Sequence, residues 1–283
     1  MSPTTRFSAF LPLLIDTLMY GVYSALFFQS LQVLYTRRTS NHKIHLGCII
    51  TLFVLSTIHI TIAYTWASIT DTADLAIYEL FTLRNLPVLY APGDPSIVRR
   101  LGFLIKLRWV LANTLADGFL IFRCYEIWGR NWRAVAVPLL SYACTIIGAL
   151  LGLFPLSDRS ERAALVLASA TTFFTNTSAS LLAAGRIWWM SRQVAMSLGK
   201  RKAQSKYMDL TAIILESGLM YPAILIITMV FLLVPAAPTV AVLPCIAVAY
   251  HLVGIAPTTI IVRVGLGVST DEVENTVTLG RVR

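Results

Sequence analysis

The amino-acid sequence predicts an all-α polytopic membrane protein, a seven-transmembrane-helix bundle with its N-terminus outside and its C-terminus in the cytosol. Three observations predict this fold: an apolar composition, seven long apolar segments, and an uneven distribution of Lys and Arg between the connecting loops. The chain has 283 residues, of which 57% are hydrophobic and 13% are charged. Soluble domains are near half apolar and about a quarter charged. So few charges exclude an ordinary soluble enzyme, a disordered chain and a fibrous protein.

Seven segments are long and apolar enough to cross a bilayer core of roughly 30 Å, which needs about 20 mostly apolar residues in a helix. In chain order the predicted spans are Leu11–Tyr35, Leu46–Trp66, Phe103–Trp128, Ala134–Phe154, Ala163–Trp189, Leu210–Val234 and Val240–Val262. The second, fourth and seventh contain no Asp, Glu, Lys or Arg. These three are therefore the clearest membrane helices.

The first and third segments need separate arguments. The first is too long for the apolar core of a signal peptide and contains Asp16, so we interpret it as a retained helix. The third contains Asp117 near its middle. Its other charged residues lie toward its ends, where long side chains can reach the lipid headgroups. These are Lys106, Arg108, Arg123 and Glu126.

The loop charges predict the orientation. The formal net charge is +9, which could indicate nucleic acid but fits cytosolic loops that face anionic lipid. Loops on the side of the N-terminus hold 6 Lys and Arg, and those on the opposite side hold 13. Cytoplasmic loops are the ones enriched in Lys and Arg. The N-terminus is therefore predicted to lie outside and the C-terminus in the cytosol. We expect residues 1–267 to form the membrane domain and residues 268–283 to form a short cytosolic tail. The lipid bilayer is a predicted partner and nucleic acid is not.

The cysteines and histidines predict neither a metal site nor a cofactor. All four cysteines lie in apolar runs without a CxxC spacing, which is typical of buried thiols. Of the four histidines, His42 and His45 lie in a loop, while His59 and His251 lie in different spans. Metal-dependent hydrolysis needs clustered His and carboxylate ligands. We therefore expect that the protein is not an enzyme.

Polar residues inside the spans are the main functional clues, because an ionisable group in lipid is costly unless it is paired or faces water. Asn113 and Asp117 share a face of the third span. Asn176 lies in a polar patch of the fifth, and His251 lies at mid-depth in the seventh. These four residues form our predicted ligand-binding site. The alternative is that they make interhelical hydrogen bonds of about 1 kcal/mol or less per pair.

Three charged residues near the cytosolic side suggest a switch. We hypothesise that Glu216 pairs across helices with Arg186 or Arg123, as a latch between two helix arrangements. The alternative is that the arginines extend to the headgroups while Glu216 is buried in its protonated form. Pro222 and Pro257 are predicted to kink the sixth and seventh helices.

Several motifs resemble an uncharacterised seven-helix membrane protein family of basidiomycete fungi. They are Ala116-Asp117 with Arg123-Cys124-Tyr125 and Ile127-Trp128, Thr175-Asn176 with Arg186-Ile187-Trp188, Glu216-Ser217-Gly218 with Tyr221, and Gly254-Ile255-Ala256-Pro257-Thr258 with Val262-Arg263-Val264-Gly265. The resemblance implies a seven-helix fold in a fungal membrane and no particular activity. The topology also resembles that of G-protein-coupled receptors. However, Phe122-Arg123-Cys124 replaces their Asp-Arg-Tyr triplet, and Ala256 precedes Pro257 where they have Asn.

Three functions remain open from the sequence. A receptor-like protein in the plasma membrane, with a small-molecule ligand and a cytosolic signalling partner, fits seven spans and an outside N-terminus. A small-solute or ion transporter or channel could use Asp117, Asn113 and Asn176 as a path, although the chain lacks the inverted repeat of many carriers. A membrane enzyme is the third class. Retinal-based light sensing needs a lysine in the seventh span, which has none.

Overall fold

The computed structural model describes residues 3–36, 42–69, 95–153, 158–198, 215–216, 218–231 and 244–263. Within these residues the chain is helical except for turns at 128–135 and 152–153, and it contains no β-strand. The helices are α1 (Pro3–Thr36), α2 (His42–Ile69), α3 (Pro95–Ile127), α4 (Ala136–Leu151), α5 (Asp158–Leu198), α6 (Gly218–Phe231) and α7 (Pro244–Arg263). The described part of the chain is therefore all-α, and the predicted tail 268–283 lies outside it.

Each described helix overlaps one predicted span. Three segments are long and apolar enough to cross a membrane, namely Leu11–Thr36, His42–Thr65 and Pro244–Arg263. The described parts of α4 and α6 are apolar but shorter. With 33 and 41 residues, α3 and α5 extend beyond their predicted spans, since polar flanking residues can continue the helical hydrogen bonding. Length and composition thus support membrane association directly for three of the seven helices.

The helices alternate in direction. Pairs of contacts show that α1 and α2 run antiparallel, α4 and α5 antiparallel, α3 and α5 parallel, and α1 and α7 parallel. For α1 and α2 the contacts are Thr17–Tyr64 and Tyr20–Thr57, and for α4 and α5 they are Ser141–Thr171 and Gly148–Ala168. For α3 and α5 they are Asp117–Asn176 and Trp128–Leu182, and for α1 and α7 they are Asp16–His251 and Tyr23–Gly254. His45 on α2 contacts Phe119 on α3, whereas His59 on α2 and Arg108 on α3 both contact the Tyr250 ring, so α2 also runs antiparallel to α3. The helices α1, α3, α5 and α7 therefore begin at one end of the bundle, which we call the N-terminal end.

Large apolar side chains cover the outside of the bundle, and several polar side chains are buried inside it. Leu18 and Phe28 are 67% and 64% exposed, whereas Asp16 and Asp117 are only 3% and 0% exposed. Soluble proteins rarely expose contiguous apolar surface, and they keep most carboxylates at the surface. A lipid environment explains both features, because it solvates apolar side chains and leaves the polar ones to pair inside the bundle. The burial pattern therefore supports a membrane protein independently of helix length.

Small residues let two pairs of helices approach closely. A Cβ atom added at Gly254 in α7 would lie 2.6 Å from the ring of Tyr23 in α1. One added at Gly218 at the start of α6 would clash with the Ser180 hydroxyl of α5. Such contacts are typical of membrane helix interfaces, where packing replaces the hydrophobic effect. These two close approaches bring α7 against α1 and α6 against α5.

Candidate functional site

The first polar cluster joins α3 to α5 and α6. We call it the central cluster, and it consists of Asn113, Asp117, Asn176 and Tyr221. The Asn176 amide donates to Asp117 Oδ1 at 2.7 Å, and the Tyr221 hydroxyl donates a short hydrogen bond to Asn113 Oδ1. All four side chains are buried. The structure thus brings together three of the four residues predicted to bind a ligand.

One acceptor of the central cluster has no partner. Asp117 Oδ2 is buried, and no described group donates a hydrogen bond to it. Asn176, in contrast, also donates to Thr172 O of its own helix at 2.9 Å. A buried acceptor that lacks a donor costs free energy, which a water molecule or a bound donor can recover. Asp117 Oδ2 is therefore the atom of the cluster that can accept a hydrogen bond from a bound molecule.

A cavity of about 70 Å³ adjoins the central cluster among α3, α4, α5 and α6. Asn113, Thr172 and Tyr221 line its inner part, and Lys106 and Leu153 line it toward the N-terminal end. The remaining lining is largely apolar. Asp117 and Asn176 do not line it but follow Asn113 and Thr172 by one helical turn. Of the four residues predicted for one ligand site, only Asn113 therefore contacts this cavity.

His251 belongs to a second cluster, which sequence reasoning placed wrongly with the first. Its Nε2 lies 2.8 Å from Asp16 Oδ1, and His59 Nε2 lies 3.1 Å from Asp16 Oδ2. The Nδ1 atom of His251 lies 2.8 Å from the Ser56 hydroxyl. We call Asp16, His59 and His251 the His–Asp–His cluster. His251 does not join Asn113, Asp117 and Asn176, because α7 packs on α1 and α2 at this depth rather than on α5.

Two members of this cluster have similar depths in their predicted spans. Asp16 lies five residues after Leu11, and His59 lies seven before Trp66. With a rise of about 1.5 Å per residue, both lie about 8–11 Å from the same side of the bilayer. By its position in the sequence, Asp16 indicated only that the first span is not a signal peptide. The spacing indicated a shared depth, but only the packing shows that the side chains meet.

Arg108 is buried rather than extended to the headgroups, which corrects the prediction from its position near the end of the third span. It is 3% exposed, and its guanidinium carbon lies 4.6 Å from the centre of the Tyr250 ring. That ring lies 4.4 Å from the ring of His59. A cation over an aromatic face is stabilised by the ring's quadrupole. The stack places positive charge beside the His–Asp–His cluster.

The predicted partners of Glu216 are also wrong. Its Oε2 accepts from Nη1 of Arg263 at 2.7 Å, since the start of the sixth helix faces the end of the antiparallel α7. Arg186 instead lies 4.6 Å from the ring centre of Trp189, and Arg123 lies 5.5 Å from that of Phe119. The latch, in the form proposed from the sequence, is therefore replaced by an exposed pair between α6 and α7.

Both prolines that were predicted to kink helices lie in the described part of the chain. Pro222 and Pro257 are buried within α6 and α7, and both helices continue past them. Pro222 directly follows Tyr221, so the interruption of backbone hydrogen bonding falls beside the central cluster.

No family model, no curated protein and no solved structure matches this chain.

Proposed function

We propose that the protein is a seven-span integral membrane protein that acts as a receptor for a small molecule. In this proposal the N-terminus lies outside, the C-terminus is cytosolic, and the plasma membrane is the location. The chain is a member of the basidiomycete seven-helix family, and it acts on a cytosolic signalling partner. Alternating helix directions and the apolar outer surface support the seven spans.

The observation that carries this proposal is the contact between Asn113 and Tyr221 at the inner part of the cavity. It joins α3 to α6, and both residues line the space in which a ligand would bind. A ligand shifts an equilibrium between two helix arrangements only if it binds them with different affinity. A molecule that hydrogen-bonds to Asn113 or Tyr221 competes with the α3–α6 contact and therefore favours one arrangement. The apolar lining favours a small, largely apolar ligand with one hydrogen-bonding group.

The experiment is a screen of small amphiphilic molecules against the purified protein, read by thermal shift and by G-protein activation at the cytosolic face. We expect Tyr221→Phe to weaken binding of any hit at least tenfold. Tyr142→Phe is the matched control, because the Tyr142 hydroxyl also donates to α3, at Thr114 O, but does not line the cavity. Hits whose affinity is unchanged in Tyr221→Phe would contradict the assigned site.

The orientation is tested separately in intact cells. An epitope ahead of Leu11 should bind antibody without permeabilisation, and one after Arg283 only with it. The reverse pattern would invert the topology and place the cavity on the cytosolic half.

A transporter or channel is the second candidate, which the unpartnered Oδ2 of Asp117 favours. This oxygen lies one turn beyond the cavity toward the opposite end of the bundle, so a solute or ion could bind there in passing. Flux into liposomes that contain the purified protein tests this function. Flux that is lost in Asp117→Asn and retained in Tyr142→Phe would favour transport over signalling.

A further inference from the structure

The His–Asp–His cluster brings three potential metal ligands from three helices to one point. Asp16 lies on α1, His59 on α2 and His251 on α7, and their ligand atoms all lie within 4.8 Å of one another. All three residues are buried. Because residues 16, 59 and 251 are far apart in the chain, only the packed bundle creates this arrangement.

The ligand set and its spacing suit a divalent transition metal. Two imidazoles with one carboxylate form a common zinc site, with metal–ligand distances of about 2.0–2.2 Å. Ligand atoms around a tetrahedral ion at those distances lie about 3.3 Å apart. From Asp16 Oδ1 the observed separations are 2.8 Å to His251 Nε2 and 3.2 Å to His59 Nε2, which are about 0.5 Å or less from that spacing. The ligand atoms all lie within 4.8 Å of one another, so a modest approach of the side chains would admit the ion. Nitrogen ligands favour Zn²⁺ and its neighbours over Mg²⁺ and Ca²⁺, which prefer oxygen.

A hydrogen bond to Ser56 orients the imidazole of His251. The Ser56 hydroxyl lies 2.8 Å from His251 Nδ1 and can either donate to it or accept from it. When Ser56 accepts from Nδ1–H, the Nε2 lone pair of His251 faces the position that a metal ion would occupy between the three side chains. Such partners of metal-bound histidines fix the tautomer and the ring orientation. The ring of Tyr250 packs against that of His59 with 4.4 Å between centres.

We propose that Asp16, His59 and His251 bind one divalent transition-metal ion of the Zn²⁺ class, which ties α1, α2 and α7 together near the N-terminal end of the bundle. The site lies apart from the cavity of the proposed receptor function and does not depend on that function. Without the metal, the carboxylate accepts hydrogen bonds from the two Nε2–H groups. With it, the imidazoles bind as neutral Nδ1–H tautomers and the carboxylate as an anion.

The test uses the full chain, purified in detergent through a tag without histidine, stripped with EDTA and dialysed. We expect about one Zn²⁺ per chain after equilibration with ZnCl₂ and removal of free metal. With CoCl₂ we expect the visible absorption bands of four- or five-coordinate Co²⁺. Zn²⁺ should also raise the melting temperature, because an ion that binds only the folded state stabilises it. MgCl₂ at the same concentration should do neither.

Matched variants locate the ion. Asp16→Asn, His59→Asn and His251→Asn should each weaken Zn²⁺ binding at least tenfold, and Ser56→Ala about tenfold through the orientation of His251. His42→Asn is the control, since it makes the same change on α2 about 25 Å from His59 along the helix. If a ligand variant fails to fold, Ser56→Ala and the Zn²⁺-dependent melting temperature still decide the proposal. Binding below about 0.1 ion per wild-type chain, or equal binding by wild type and Ser56→Ala, would overturn it.

Discussion

At the level of single residues, several buried polar side chains of this protein pair across helices. Asp117 illustrates this, because its Oδ1 accepts from Asn176 while its Oδ2 has no partner among the described residues. Removing one member of such a pair costs more than the pair contributes, since the other member remains buried and unsatisfied. The loss of stability on substituting one member of a pair therefore depends on whether the other member can still form a hydrogen bond.

Asn176→Leu should therefore be far more harmful than Asp117→Asn. The leucine leaves Asp117 without its donor, and we expect a loss of about 1–3 kcal/mol in the free energy of unfolding. The amide in Asp117→Asn still offers a carbonyl to Asn176, so its cost should stay below about 1 kcal/mol. Denaturant unfolding in detergent micelles measures both. Equal losses would mean that the charge on Asp117, rather than the hydrogen bond, carries the interaction.

A second residue-scale prediction concerns Glu216 and Arg263. Their side chains are 65% and 40% exposed, and ion pairs at such positions contribute between 0 and about 1 kcal/mol. Glu216→Gln and Arg263→Gln should thus leave unfolding nearly unchanged, and the double variant should match either single one. Unfolding in micelles at low and high salt tests this. A loss that exceeds this range and does not respond to salt would show that the pair is a structural latch after all.

At the scale of helices, close approach decides the packing of α7 against α1. The Tyr23 ring occupies the space where a side chain at Gly254 would lie. Further along the same interface, Asp16 pairs with His251. The glycine therefore helps to set the separation at which the His–Asp–His cluster forms.

Gly254→Ala should separate these helices. The new Cβ would lie 2.6 Å from the Tyr23 ring, and overpacking of this kind costs about 1–3 kcal/mol. Gly21→Ala is the control, because nothing lies within 4 Å of a Cβ at that position of α1. Combining Gly254→Ala with Tyr23→Leu should recover part of the loss. Melting temperatures in micelles compare the variants, and an unchanged value for Gly254→Ala alone would contradict the close approach.

At the scale of the whole molecule, the outer surface matches lipid rather than water. Leu181 on α5 is 54% exposed and lies near the middle of a predicted span. In a water-soluble bundle a charge at such a position would be harmless or would improve solubility. In a membrane it must be buried among lipid chains or reach the interface.

Leu181→Lys should accordingly reduce membrane insertion, because a lysine at the centre of a membrane helix costs about 2.5–3.5 kcal/mol on insertion scales. Leu181→Ala keeps the position apolar and serves as the control. The fraction of protein that resists alkaline carbonate extraction is the measurement. Normal insertion of the lysine variant would place Leu181 outside the lipid core.

The apolar length of the segments predicted the spans, and each span overlaps a described helix. The mid-span positions of Asp117 and Asn176 predicted that the two residues lie close together, with a hydrogen bond between helices as the alternative to a ligand site. The sequence could not identify the partners of His251, Arg108 and Glu216. Each of these depends on which face of a helix meets which neighbour, and a helix that is apolar nearly all round carries little pattern to indicate that face.

The composition and the length of the apolar segments therefore indicated a helical chain that associates with a membrane, because a water-soluble fold cannot bury so many apolar residues. Tertiary structure decided where the polar groups meet. Asp16 has no special meaning in α1 by itself, and it becomes the centre of a ligand set only when α2 and α7 bring His59 and His251 to it. The physical reason is that lipid excludes polar groups equally from every helix, whereas the packing of side chains selects which of them face one another.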